Sequence, residues 1–305
     1  MHLRKLARAI VAAVVVSSAF ASAKAAPILY ATGGGGLYTL DPFTGASTRV
    51  FDFPGLDLNS GGLAYDAASD SFYATGSAFA SSGITSLFNI NRSTGAVTVI
   101  GQLPASIVLS AGGLAIHPLT GVMYASGAGA QSTELFTIEK ATGVATLIGR
   151  AGPECCASGT FGFRMNGLGF ASDGTLFANG FSSSPAGFSQ LFTIDLSNGA
   201  ATAIGLHGVT LGRQLGYSGL AFREDGTLLS LGSVTASTQG LYAIDPLSAA
   251  ATLLGPTPGF GVDGGLTFAV PEPGVLGLLG VGFAGLGAMS RRGRRRSQPT
   301  GSASR

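Results

Sequence analysis

The chain has 305 residues, 46% of them hydrophobic and only 10% charged, with 49 glycines and no tryptophan. A chain so apolar and so poor in charge is not disordered, and glycine without a three-residue period marks many turns rather than collagen. The formal net charge of +2 is made by the two ends: residues 27–270 hold seven basic against fourteen acidic residues. That balance argues against a nucleic-acid partner, which requires clustered Lys and Arg to displace counterions.

Residues 1–25 read as a secretory signal. Arg4, Lys5 and Arg8 form a positive start, residues 9–20 an apolar run, and Ala23-Lys24-Ala25 a small-x-small cleavage pattern. Cleavage is expected after Ala25, with Ala23 as the competing position. The apolar run is short for a permanent membrane anchor.

The next 245 residues or so repeat themselves, as the sequence shows in three alternating phrases. The first is LYTLDPFTGASTRVF from Leu37, LFNINRSTGAVTVIG from Leu87, LFTIEKATGVATLIG from Leu135, LFTIDLSNGAATAIG from Leu191 and LYAIDPLSAAATLLG from Leu241, at spacings of 50, 48, 56 and 50 residues. The second is SGGLAYD at Ser60, AGGLAIH at Ala111, MNGLGFA at Met165, YSGLAFR at Tyr217 and DGGLTFA at Asp263. The third follows it: FYATG at Phe72, MYASG at Met123, LFANG at Leu176 and LLSLG at Leu228. Each unit thus offers four short strands bounded by turn signals: a (the GGLAY phrase), b (the YATG phrase), and c and d, joined as a hairpin through Asp-x-x-Thr-Gly. The Asp of that turn can accept backbone N–H groups and its Gly tolerates positive φ. The fifth copy carries Ala249 in place of the Gly, so its turn is open to differ.

Four-stranded units of this length match propeller blades. The last unit ends after strand a, while ILYATG at residues 28–33 is a copy of strand b standing alone at the beginning. The sequence therefore predicts an all-β fold, a five-bladed β-propeller of four-stranded blades, closed by the N-terminal strands completing the last blade. Closure removes exposed sheet edges. A β-solenoid is the alternative, and it gives no reason for the first strand to supply the one missing at the end. The expected domains are residues 1–25 (signal peptide), 26–270 (propeller) and 271–305 (tail).

In such a ring the a–b and c–d turns share one face, and the longer b–c and d–a loops the other. Binding residues concentrate on variable loops over a rigid scaffold, so the second face is where a site is expected. Most acids fall in turns: Asp41, Glu139, Asp195 and Asp245 in c–d turns, and Asp66, Asp70, Asp173, Glu224 and Asp225 in a–b turns. The binding candidates left on the variable face are Asp57, Glu154, Arg164, His207, Arg213 and Asp263. Cys155 and Cys156 lie side by side in the longest d–a loop; in an oxidising compartment adjacent cysteines can close a vicinal disulfide. Two adjacent thiols make no zinc site, His117 and His207 lack metal partners at a recognisable spacing, and no Ser/His/Asp set or GxSxG elbow can be assembled, so neither cofactor nor metal is expected.

The C-terminus has three parts in order: Pro271-Glu272-Pro273, an apolar stretch at residues 274–289, and the basic set Arg291, Arg292, Arg294, Arg295 and Arg296. The stretch can span or nearly span a bilayer, with the arginines on the cytoplasmic side; an ordinary single-pass anchor is the alternative. This order resembles the PEP-CTERM sorting domain of Gram-negative bacteria, and about nine residues after the arginines depart from the family's habit of ending soon after its basic cluster. The resemblance implies an exosortase-type membrane protease as partner, an inner-membrane-anchored precursor, and a product at the cell surface or in the extracellular matrix, with a link to exopolysaccharide and biofilm. The function expected is a binding or structural protein with surface glycans as candidate partners. The alternative is a propeller hydrolase or lactonase using Asp57, Glu154 and Asp263 at the channel mouth.

Overall fold

The computed structural model describes residues 26–58, 61–78, 85–103, 113–128, 133–151, 164–182, 188–208, 219–235, 238–257 and 264–270. They form β-strands joined by turns, arranged as five antiparallel blades of four strands. Blade 1 contains β5 (Leu63–Asp66), β6 (Ser71–Ala78), β7 (Ser86–Asn91) and β8 (Val97–Gln102). Blade 2 is β9 (Leu114–Ile116), β10 (Met123–Ala128), β11 (Thr133–Ile138) and β12 (Ala145–Arg150). Blade 3 is β13 (Arg164–Phe170), β14 (Leu176–Ser182), β15 (Phe188–Ile194) and β16 (Ala201–Leu206). Blade 4 is β17 (Leu220–Phe222), β18 (Leu228–Thr235), β19 (Thr238–Ile244) and β20 (Ala251–Pro256). The closing blade joins the two ends of the domain: β21 (Leu266–Ala269) pairs with β1 (Ile28–Gly33), followed by β2 (Gly36–Leu40) and β3 (Ser47–Asp52). The ILYATG strand thus supplies the partner missing at the end, as the repeat count requires. A two-residue strand, β4 (Leu56–Asp57), also pairs with the end of β6.

The turns follow from their residues. Gly34 and Gly35 both take positive φ between β1 and β2, as a two-residue hairpin of matching twist demands. In the c–d turns Asp41 accepts N–H bonds from Phe43 and Thr44, and Asp195 and Asp245 accept from Ser197 and Leu247. Ala249 keeps the same turn as its four glycine counterparts and takes φ 64° to do so. Every c–d pair also carries a bulge at the same place, between the Leu that opens the first repeated phrase and the residue after it. A bulge adds twist and spoils the outer edge as a template for further pairing.

The polar residue of the third phrase has a structural use. The N–H of the strand-a glycine donates to it: Gly62 to Thr75 at 2.8 Å, Gly113 to Ser126 at 2.8 Å, Gly167 to Asn179 at 2.7 Å and Gly265 to Thr32 at 3.0 Å. All four acceptors are buried, so each bond satisfies a peptide group that water cannot reach. Blade 4 departs: Leu231 stands at that position, and the neighbouring Ser230 accepts from Asn179 Nδ2 at 3.1 Å.

Adjacent blades meet around two rings. At the inner ring a Cβ on Gly62 would collide with Leu114, on Gly113 with Leu168, on Gly169 with Leu220, on Gly219 with Leu266, and on Gly265 with Leu63. At the outer ring the end of each strand d sits on the next blade's c–d turn: Phe51 on Gly95, Gly101 on Thr142, Gly149 on Asn198, Gly205 on Ser248 and Gly255 on Thr44. Both rings return to their start. Between the rings lie five apolar clusters, one per blade interface, such as Leu29, Leu40, Leu229 and Leu241 between blade 4 and the closing blade.

The seam is therefore held by backbone approach as well as by side chains. Gly255→Ala, whose methyl would enter the Thr44 carbonyl, is expected to lower unfolding free energy by about 1–3 kcal/mol. Gly55→Ala, at φ 86° with open space around it, should cost only about 1 kcal/mol, the price of the left-handed conformation. Urea melts of the two variants check the difference; equal losses would contradict a tight seam at Gly255.

Candidate functional site

The second phrase forms the innermost strands, and these enclose a central channel with a cavity of about 430 Å³. Its wall repeats the phrase: Leu63, Leu114, Leu168, Leu220 and Leu266 lie deepest, followed by Ala64, Ala115, Gly169, Ala221 and Thr267, and then by Tyr65, Ile116, Phe170, Phe222 and Phe268. The last set is only half-buried, whereas the leucines are sealed. Four of the five inner-ring glycines lie just before the leucines, and Gly169 lies just after Leu168. Among the described residues the cavity also reaches a–b turn residues, among them Asp66, Ala67, His117 and Pro118. Among the described residues the lining therefore runs from buried leucines to half-buried side chains at the turn face.

Ladder alternation fixes which peptide groups look inward. The carbonyls of Gly62 and Gly265 bond to strand b through Thr75 and Thr32 N–H groups, so the N–H and C=O of Tyr65 and Phe268 point the other way, to the channel. The Tyr65 N–H donates to Thr267 Oγ1 at 3.3 Å. Around the mouth His117 packs on Phe170 at 4.9 Å, and its Nδ1 accepts from Leu119 and Thr120 N–H, which closes its own turn.

The turn face is acidic. It holds the nine turn acids against Arg92, Lys140 and Arg223. Each of the three cations ties a carboxylate: Arg92 to Asp70, Lys140 to Asp66 at 3.0 Å, and Arg223 to Asp225 at 2.7 Å. Two also lie over rings, Lys140 over Tyr73 at 6.0 Å and Arg223 over Phe43 at 4.4 Å. The Arg92 hydrogen bond holds the Asp70 carboxyl below its ordinary range, and Arg223 does the same for Asp225. Turn N–H groups lower Asp41 and Asp173, and serine hydroxyls lower Asp195 and Asp245. These carboxylates are ionised at neutral pH.

The variable-face candidates do not assemble among the described residues. Asp57 lies in β4 opposite Ser77, and Arg164 opens β13 opposite Phe181. Glu154, Arg213, Asp263, Cys155 and Cys156 lie outside the described residues, as do Pro271, Glu272, Pro273 and the terminal arginines. Glu134 and Arg150, which face each other across β11 and β12, form an ion pair at 3.4 Å. Among the described residues no group of three or more His, Cys, Asp or Glu could hold a metal ion.

His207 is buried just past the end of β16 and staples blade 3 to blade 4. Its Nδ1 bonds the Ala249 carbonyl at 2.9 Å, so Nδ1 carries the proton, and its own carbonyl accepts the Ala251 N–H. Nε2 is buried with no partner among the described residues. Sequence reasoning placed His207 on an open loop. The signal available was its position: Phe53, Leu103 and Ala151 stand at the same place in other blades, and all are buried.

The chain leaves the closing blade directly after β21, whose last residue Ala269 pairs with Ile28 of β1. Residues 269–295 match the family model described as the PEP-CTERM protein-sorting motif, which begins at the last residue of β21. The chain carries a PEP-CTERM sorting motif. That motif implies an exported, exosortase-processed protein, and it is joined to the propeller without a linker. Among the described residues no helix is long and apolar enough to cross a membrane, and the apolar stretch at 274–289 lies outside them.

No curated protein matches the chain in sequence. Among solved structures, it is similar to an engineered GH43 glycoside hydrolase that displays endo-xylanase and exo-arabinofuranosidase activity, at 14% identity and TM-score 0.52, over 82% of this chain and 54% of that one. TolB from Acinetobacter baumannii is similar at 13% identity and TM-score 0.45, over 77% and 51%. The chain spans about half the length of these two proteins. Likeness at such identities concerns the fold.

Burial pushes the His207 pKa below its ordinary value of 6.5. The unfolded chain then binds the proton more readily than the folded one, so the staple's contribution is complete above pH 6.5 and lost as pH falls below it. The loss is expected to reach at most about 1.4 kcal/mol per pH unit. His207→Asn, which can still donate to Ala249, should flatten the fall in melting temperature between pH 6.5 and 5. An unchanged slope would show that His207 is not the titrating group.

Proposed function

We propose that this chain is an exported cell-surface or extracellular-matrix protein whose propeller serves as a binding or structural module, with surface glycans as partners. The observation that carries this is the sorting motif abutting the innermost strand of a closed propeller. Sorting delivers a folded, self-contained ring, and a ring closed at both its inner and outer contacts suits exposure outside the cell. The described turn carboxylates are taken up by turns and ion pairs. Asp41, Asp195 and Asp245 hold c–d turns, and Asp66, Asp70 and Asp225 hold ion pairs. Glycosidase chemistry instead needs two carboxyl groups set across one bond.

Deleting residues 271–296 tests delivery and role together. The truncated chain is expected to fold and be exported, but to be lost from the surface fraction of the producing cells. The wild-type chain, incubated with panels of glycosides and lactones, is expected to turn none over. Steady turnover would replace a binding module by a hydrolase, and an unchanged surface fraction would remove the sorting role.

A further inference from the structure

We propose that the central channel binds a small organic cation, an ammonium group on a compact body, taken in from the acidic turn face. This deepens the assignment of the domain as a binding module and rests on it. The cavity of about 430 Å³ is of small-molecule size, and toward the turn face it is lined by half-buried Tyr65, Phe170, Phe222 and Phe268 with Ile116, whose other sides pack between the blades. Aromatic walls attract cations through the ring quadrupole, most strongly where water is displaced. A concave, low-dielectric mouth within a negative field concentrates positive ligands and repels anions.

The turn face already shows both interactions. Lys140 meets Asp66 and the Tyr73 ring, and Arg223 meets Asp225 and the Phe43 ring. Each of these cations sits between an aspartate and an aromatic ring at a blade margin. The channel offers the same pair of partners at larger scale: half-buried rings inside, and turns with nine acids against three cations outside. Turn hydrogen bonds hold the carboxyls of Asp41, Asp195 and Asp245 below their ordinary range, which keeps that part of the field in place at neutral pH. Inward-facing peptide groups on the innermost strands, such as the carbonyl of Phe268, supply acceptors for an ammonium N–H. An acidic sugar or a phosphate would meet the wrong sign of field, and a neutral sugar would gain nothing from it.

The test titrates the full chain in detergent with choline, glucosamine, glucose and glucuronate, followed by calorimetry. The two cations separate a quaternary headgroup from a sugar-borne amine. Expected is saturable binding of at least one of them, one per chain, weakened several-fold when NaCl is raised from about 20 to about 300 mM, as screening requires. Phe170→Leu with Phe268→Leu keeps apolar volume but removes two rings, and should weaken binding at least five-fold. The salt series on the wild-type chain decides the matter if that variant folds poorly. Glucose or glucuronate binding as tightly as the cations overturns the proposal, as does salt-independent binding or none at all. A glycan captured equally by wild type and the leucine variant would also overturn it while leaving the surface-binding role intact; loss of surface delivery would strike only that role.

Discussion

The backbones of neighbouring blades approach so closely that side chains are excluded at fixed points, and the rest of the molecule is arranged around that approach. Gly62, Gly113, Gly169, Gly219 and Gly265 each lie where a Cβ would enter the next blade's innermost strand. Such proximity strips water from peptide groups, and a buried unpaired N–H is costly. The Thr, Ser or Asn of the third phrase answers that cost by accepting the strand-a N–H from within the same blade. At Gly62, Gly113 and Gly265 the glycine and its polar acceptor occur together: one permits the approach, the other satisfies the donor it buries.

The same constraint shapes the channel. Glycine backbones crowd its deep end, while the aromatic position three residues later splays toward the turn face and stays half-exposed. A propeller blade twists from its inner to its outer strand. Here that twist brings the end of each strand d across to the neighbour's c–d turn, which explains why His207, beyond β16, reaches the Ala249 carbonyl in a turn of blade 4. Ala249 is held at positive φ in a site where the equivalent residues are glycine, with its methyl buried and its carbonyl taken by His207. The methyl's packing offsets part of the conformational cost.

Charge is segregated by the turns. Carboxylates suit Asx-type turns because their oxygens can accept the N–H groups two and three residues ahead. A fold with turns gathered on one face therefore collects acids there without any ligand having demanded it. That collection still produces a field, and the field falls across the turn-face end of the channel. A structural habit of the repeat thus sets the electrostatics of the best-formed cavity.

Period and phase were written in the sequence: five copies of the c–d phrase, five of the a phrase, and a b strand at residues 28–33 where the last blade lacked one. Local chemistry also fixed the turn acids, because an Asp before x-x-Thr-Gly acts on its own backbone. The tail could be recognised as well, since an ordered set of motif, apolar stretch and arginines acts as linear sequence. Which residues line the described cavity was decided only in three dimensions. How closely five glycine-bearing strands converge is a property of the assembled ring, because each glycine meets a residue of another blade. His207 shows the same limit. Its neighbours in sequence say loop, while its burial and its bond to Ala249 exist only because another blade lies against it.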